Sequence, residues 1–291
     1  MTVKYSLCQQ IYPGKAPGNA IARNTDNFIL LENNIIKINF YIKKNQLHPV
    51  YFMDKLNSNK MNLASIDWFS LTLKNGKLIS DKDFQLKGLP VIRPAKINPR
   101  SSKFSDHLNG KIISATLVNE ALKLTIDWEA RLTDGSNYIL QRWAFHCKDS
   151  IPIVKYSMLQ LSSDSAKQMG TVDGSPIVSG QMFFALEHPM SKNEIFSNYA
   201  IGTFPRESDL QPSDSLVLNT VFGVTPKGQL RRGFLYYLER ERSHPYRPFL
   251  HYNSWYDLSL VDRKMEESSC LDRIKMYGDS LVKKRNVKMK A

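Results

Sequence analysis

The sequence predicts a mainly β protein: a large antiparallel β-supersandwich over residues 21–243, then a strand–helix–strand run over 244–291. Three observations predict this class. Short runs of alternating apolar and polar residues recur at roughly 8–12-residue spacing with turn residues between them, the pattern of an antiparallel sandwich or barrel. This grammar holds for about 220 residues without a fixed-period repeat, which favours one big two-layer sandwich over a propeller. Helical spacing of apolar residues sets in only near residue 265.

The elements follow in order. Residues 1–20 read as an irregular lead-in, broken by Pro13, Gly14, Pro17 and Gly18. Phe28–Leu31, Ile35–Phe40 and Ser70–Leu73 are short β-type runs, with Asn33-Asn34 and Asn75-Gly76 as turn residues. Lys111–Val118 and Leu122–Trp128 alternate with period two, and Thr133–Ser136 is a turn. Tyr138–Phe145, Val154–Leu161, Gln181–Leu186, Leu216–Val224 and Phe234–Leu238 continue the strand series. A strand over Phe249–Ser254 comes next. Leu271, Ile274, Tyr277, Leu281 and Val282 then recur at helical spacing, with Ser269 and Asp272 as a capping-box-like start. Val287–Ala291 opens another strand. Residues 249–291 thus form one βαβ unit, the building block of a parallel sheet or barrel. Such a unit cannot bury both its faces alone, so an exposed apolar patch and association through it are expected.

Bulk composition narrows the function classes. The chain has 291 residues, 42% of them apolar, and a formal net charge of +13. No run of about 18 apolar residues is present, so no membrane span is expected. The N-terminal residues show no secretory signal, and a trimmed start would leave a periplasmic or secreted location open. Cys8, Cys147 and Cys270 are far apart and form no CxxC pair, so no disulfide framework, metal site or cofactor is expected. Lys and Arg are spread along the chain. Their local cluster, Lys283–Arg285 with Lys288 and Lys290, ends a helix, where cations complement the dipole. No nucleic-acid motif accompanies the charge, and no nucleic-acid partner is expected.

The densest chemical signal is His244–Asp257, with five aromatic rings, two prolines and a Trp-x-Asp. Trp255, at the end of the predicted strand, is a platform for the apolar face of a sugar ring. Asn253, Tyr256 and Asp257 beside it offer hydrogen bonds to hydroxyls. The competing reading is an aromatic plug in a domain junction. His244–Pro248 reads as a stiff linker. Glu187-His188 after a strand, with Asp173 and Ser175 in a nearby loop, is a pair with acid–base capacity, of the kind sugar anomer interconversion needs. A hydrogen-bonded strand end is the favoured account of it. Trp68, Trp128 and Trp143 lie inside strand patterns and read as core.

Arg232–Glu239 and His244–Asp257 resemble bacterial α-galactosidase-like glycoside hydrolases of the α-galactosidase and raffinose-synthase superfamily. Thr171–Val178 and Phe183–Met190 are similar to the same group. The resemblance covers residues 170–291; the earlier half shares β character alone. It implies a galactose-mutarotase-like supersandwich followed by a (β/α)₈ catalytic barrel, of which 244–291 would be the linker and the opening. Asn253-Ser254-Trp255 then corresponds to the first barrel strand, where this element lines the sugar subsite. A full barrel takes roughly 250 residues, so the rest of it lies outside this sequence. A retaining glycosidase needs two carboxyl groups about 5–5.5 Å apart. Those aspartates belong to later barrel strands, so no catalytic residue is assigned here. Asn253, Trp255, Tyr256 and Asp257 are the substrate-binding set, with a galactoside-type glycan as partner. The isolated chain is expected to show no glycosidase turnover. Two alternatives stand beside this reading: a non-catalytic carbohydrate-binding sandwich, and a mutarotase-like enzyme using Glu187 and His188.

Overall fold

The computed structural model describes residues 11–25, 27–244, 252–260 and 265–286. The first five strands form an antiparallel meander: β1 (Ile21–Thr25), β2 (Phe28–Glu32), β3 (Ile36–Lys43), β4 (Gln46–Asp54) and β5 (Asn59–Asn62). A hairpin follows, β6 (Ser70–Leu73) and β7 (Leu78–Ser80), turning at Gly76 with φ +83°. After the short β8 (Gln85–Leu86) and β9 (Val91–Pro94) come the long strands β10 (Gly110–Asn119), β11 (Leu124–Thr133), β12 (Tyr138–Cys147) and β13 (Ile153–Ser162). The chain continues through β14 (Lys167–Gln168), β15 (Ile177–Ser179), β16 (Met182–Leu186), β17 (Lys192–Ile195), β18 (Tyr199–Pro205) and β19 (Val217–Val224). Every strand pairing among the described residues is antiparallel.

These strands make three sheets. The largest has the order β14-β15-β16-β19-β12-β11-β10-β8, with β9 paired on β10. Two five-stranded sheets, β1-β2-β3-β4-β5 and β17-β18-β13-β6-β7, cover one of its faces. The alternation read from the sequence decides which side chains meet there. Leu124, Ile126, Trp128, Ala130 and Leu132 of β11 are buried, while Thr125, Asp127, Glu129 and Arg131 point to the opposite face. Phe40 of the first small sheet meets Trp128 edge-on at 4.9 Å, and Trp68 lies 4.9 Å from both Trp128 and Trp143. Phe52 contacts Phe184 and Phe222, and Tyr156 meets Phe145. The indole N–H groups are satisfied within this core: Trp128 donates to Gln141 and Trp143 to Thr220.

The structure differs from the sequence reading near Phe234–Leu238. This segment belongs to a helix, α1 (Leu230–Glu241), not to a strand. Gly233, Tyr236, Tyr237 and Arg240 are its buried positions, at helical spacing. Its apolar side, Leu230, Phe234, Tyr237 and Leu238, covers the far face of the large sheet at Tyr138, Leu140, Val178, Phe183, Ala185 and Val221. Burial on both faces thus explains the unbroken apolar run of β16.

The chain divides into two units, Met1–Pro245 and Tyr246–Ala291. In the second, the expected helix is present as α2 (Glu267–Tyr277), continued by a π-helical turn over Gly278–Lys283. Its N-cap is Glu266, so Ser269 lies inside the helix and the Ser269–Asp272 capping box is not formed. Trp255 also departs from expectation: it opens a π-helical turn, Trp255–Ser259, in place of closing a strand. Residues 1–10 with Cys8, Phe249–His251 of the expected strand, Val287–Ala291, and Lys288 and Lys290 lie outside the described residues.

Candidate functional site

The four residues expected to bind substrate lie together on the short segment before α2. Asn253 is exposed, and its Oδ1 accepts the Trp255 backbone N–H at 3.0 Å in a local turn. Trp255 and Tyr256 present bare rings, 58% and 73% exposed. Asp257 is held from two sides: Tyr252 Oη donates to it at 2.7 Å, and Arg273 Nε of α2 pairs with it at 2.9 Å. Desolvation, the hydrogen bond to Asp257 and that carboxylate's charge push the Tyr252 hydroxyl up to about 12, so it remains a donor across the physiological range. The Tyr252 and Tyr277 rings, 5.1 Å apart, tie the same turn to α2. The arrangement offers two exposed aromatic surfaces beside a fixed carboxylate and an amide, a set suited to a polyol with one apolar face.

The second expected group does not converge. Glu187 accepts the Tyr237 hydroxyl of α1, whereas the His188 ring packs on Phe204 at 4.2 Å and its Nδ1 accepts the Met190 N–H. Both residues lie past the end of β16, where the His188 N–H turns back to the Leu186 carbonyl at 2.9 Å. Asp173 contributes its backbone carbonyl to Asn193, and Ser175 caps the Val172 N–H. No acid–base pair is formed by Glu187 and His188.

Sequence reasoning missed the polar seam beneath α1. There, Tyr138 donates to Glu241 at 2.6 Å, and Glu241 also pairs with Arg131 (3.2 Å) and with Lys103. Arg131 reaches on to Asp106 at 3.1 Å. Burial raises the Glu187 carboxyl above the usual range, with the Tyr237 hydrogen bond opposing and the Glu241 charge adding to the rise. Arg240 is buried and donates to the Asp134 carbonyl (2.7 Å), Ser136 (3.1 Å) and Tyr236 (3.0 Å), with its guanidinium over the Phe104 and Tyr236 rings. These contacts fix the helix on the sheet, with the buried Arg240 Nε left without a hydrogen-bond partner among the described residues. The signal was present as the i, i+3, i+4, i+7 spacing of Gly233, Tyr236, Tyr237 and Arg240.

The far face of the large sheet beyond α1 is polar. Ser114, Thr116, Asp127, Glu129 and Arg142 surround a cavity of about 320 Å³. Asp127 accepts from Thr116 at 2.8 Å and faces His146 at 3.3 Å; Glu129 pairs with Arg93. Among the described residues, no group of three or more His, Cys, Asp or Glu could hold a metal ion, and no helix is long and apolar enough to cross a membrane.

No protein-family model matches the chain, and no curated protein matches it. Among solved structures, it is similar to the GH36 α-galactosidase AgaB from Geobacillus stearothermophilus: 11% identity, 89% of this chain, 48% of that one, TM-score 0.49. It is also similar to a variant of the GH36 α-galactosidase AgaA from the same bacterium, crystallised with raffinose, at 11% identity over 90% of this chain and 48% of that one, TM-score 0.45. A third similarity is to the insertase YidC, at 9% identity over 93% of this chain and 53% of that one, TM-score 0.42. The chain spans about half the length of each of these structures.

Proposed function

We propose that this chain is the N-terminal part of an α-galactosidase-like glycoside hydrolase, its sandwich supporting a sugar site to which Asn253, Trp255, Tyr256 and Asp257 contribute. The observation that carries the reading is the exposed Trp255–Tyr256 surface beside Asp257, a carboxylate held by Tyr252 and Arg273. Bare aromatic rings cost hydration, and a sugar face recovers it. The resemblance of Arg232–Glu239 and His244–Asp257 to that family supports the same reading. In it, residues 244–291 are the linker and first βα unit of a catalytic barrel, and the catalytic carboxylates come from further chain.

The test is isothermal titration of the 291-residue chain with raffinose and galactose. Trp255→Ala is expected to weaken binding about three- to tenfold, the worth of one aromatic contact. Asp257→Asn should weaken it less, since the Tyr252 donor remains. Equal affinity of wild type and Trp255→Ala would defeat the assignment. The polar cavity around Asp127 and Arg142 favours a second reading, a non-catalytic carbohydrate-binding sandwich. Retention on galactose-containing polysaccharide that survives Trp255→Ala but not Arg142→Ala would select it.

A further inference from the structure

The net charge of +13 plays no part in the sugar reading, and three of its lysines line one cavity. The two-residue turn between β3 and β4, Lys44-Asn45, docks on β8: Asn45 Nδ2 donates to the Leu86 carbonyl at 3.0 Å, and the Leu86 N–H to the Asn45 carbonyl at 2.7 Å. The turn between β10 and β11 faces it. Between them lies a cavity of about 360 Å³, whose polar lining includes Asn45, Gln85, Lys87, Lys123, Thr125 and Lys148. Glu120 is the single carboxylate among the lining residues.

The walls are fixed by backbone bonds. The Lys87 N–H donates to the Thr116 carbonyl at 2.8 Å, and the Lys148 N–H to the Lys123 carbonyl at 3.2 Å. Lys123 pairs with Asp149 at 2.8 Å. Among the described residues, no ion pair or side-chain hydrogen bond engages the ammonium of Lys87 or Lys148. Lys44 and Lys123 hold left-handed backbone, φ 49° each, where glycine or asparagine would be less strained. Two lysines are therefore kept in costly conformations on the turns that frame a cavity whose lining includes the exposed Lys87 and Lys148.

We propose that this cavity binds an oxyanion, phosphate or sulfate, either free or carried by a sugar. Ammonium groups are compact point charges well suited to such anions, and the Thr125 hydroxyl adds a neutral donor. A volume in the usual range for small-molecule sites leaves room for a sugar behind the anion. The lining has no aromatic ring on which a base could stack, which disfavours single-stranded nucleic acid. The inference stands independently of the Trp255 site.

The test is amide NMR of the full ¹⁵N-labelled chain titrated with inorganic phosphate, sulfate, glucose 6-phosphate and glucose, with ionic strength held constant by chloride. Saturable shifts are expected at Lys87, Thr125 and Lys148 with the anions and not with glucose. Tighter binding of glucose 6-phosphate than of inorganic phosphate assigns a sugar-borne ligand; equal binding assigns the free anion. Replacing Lys87 and Lys148 together by Ala should weaken the anions by about tenfold, whereas Lys60→Ala with Lys192→Ala, outside the cavity, should stay within about twofold. Shifts that chloride reproduces, or equal weakening by both pairs, would overturn the proposal. So would a single-stranded oligonucleotide that displaces phosphate and binds more tightly than the sugar phosphate.

Discussion

Two single residues show how local geometry reverses a default expectation. Gly233 sits inside α1, where Gly is ordinarily about 1 kcal/mol worse than Ala. A Cβ there would meet Thr225 Cγ2 at 2.5 Å and Cβ at 2.9 Å. Overpacking of that kind costs roughly 1–3 kcal/mol, so it outweighs the helix gain. Gly233→Ala is expected to lower the urea midpoint; a raised midpoint would show that the helix shifts without cost. Asp81 is the second case. It is buried, accepts the Trp68 N–H at 3.1 Å, and is pushed up to about 6 from 3.8, first by burial and then by the nearby Asp67 charge, against the Trp68 hydrogen bond. Between pH 3.8 and about 6 the folded state holds a proton that the unfolded chain has lost, so stability falls as pH rises through that window. Asp81→Asn keeps an acceptor for Trp68 and carries no charge to bury. Its stability relative to wild type should therefore rise between pH 4 and pH 7, by about 3 kcal/mol at most. A difference that stays constant across those pH values would remove Asp81 as the cause.

At the scale of elements, what could be read from the sequence was what depends on neighbours in the chain. The alternation of β10 and β11, the turn at Thr133–Ser136 and the helix after residue 265 are local patterns, and the structure reproduces them. The helix α1 was misread because Arg232-Gly-Phe-Leu-Tyr-Tyr-Leu238 is rich in residues that favour strands, with a glycine that disfavours helix. Tertiary packing overrides that preference: one helical side seals the apolar patch around Phe183, Tyr138 and Val221. The seam that locks it, Tyr138 with Glu241 and Glu187 with Tyr237, joins residues 103 and 50 positions apart. Such pairs depend on sheet register, which no local pattern states. The expected substrate residues are contiguous in the chain, so their grouping was legible; the helical turn carrying Trp255 was not, because Asn253 starts a side-chain-capped turn where an extended run was read.

At the scale of the whole molecule, the two units differ in what they bury. Among the described residues, every buried apolar side chain lies between Tyr12 and Tyr237, and residues 252–286 bury none. Cooperative unfolding draws on buried apolar surface, so it belongs to the first unit. A fragment comprising residues 1–245 should keep the near-ultraviolet circular dichroism of the full chain. It should also melt within about 4 °C of it, the shift that roughly 1 kcal/mol produces at this size. The second unit carries the opposite property: Leu271 and Ile274 of α2, one turn apart, are 56% and 68% exposed. An exposed apolar helix side promotes association. Sedimentation velocity should find the 1–245 fragment monomeric at concentrations where the full chain self-associates, and Ile274→Glu should move the full chain toward the fragment's behaviour. Loss of cooperative melting in the fragment would mean that residues 246–291 supply stability their burial does not account for, and the division of labour between sandwich and terminal unit would fail.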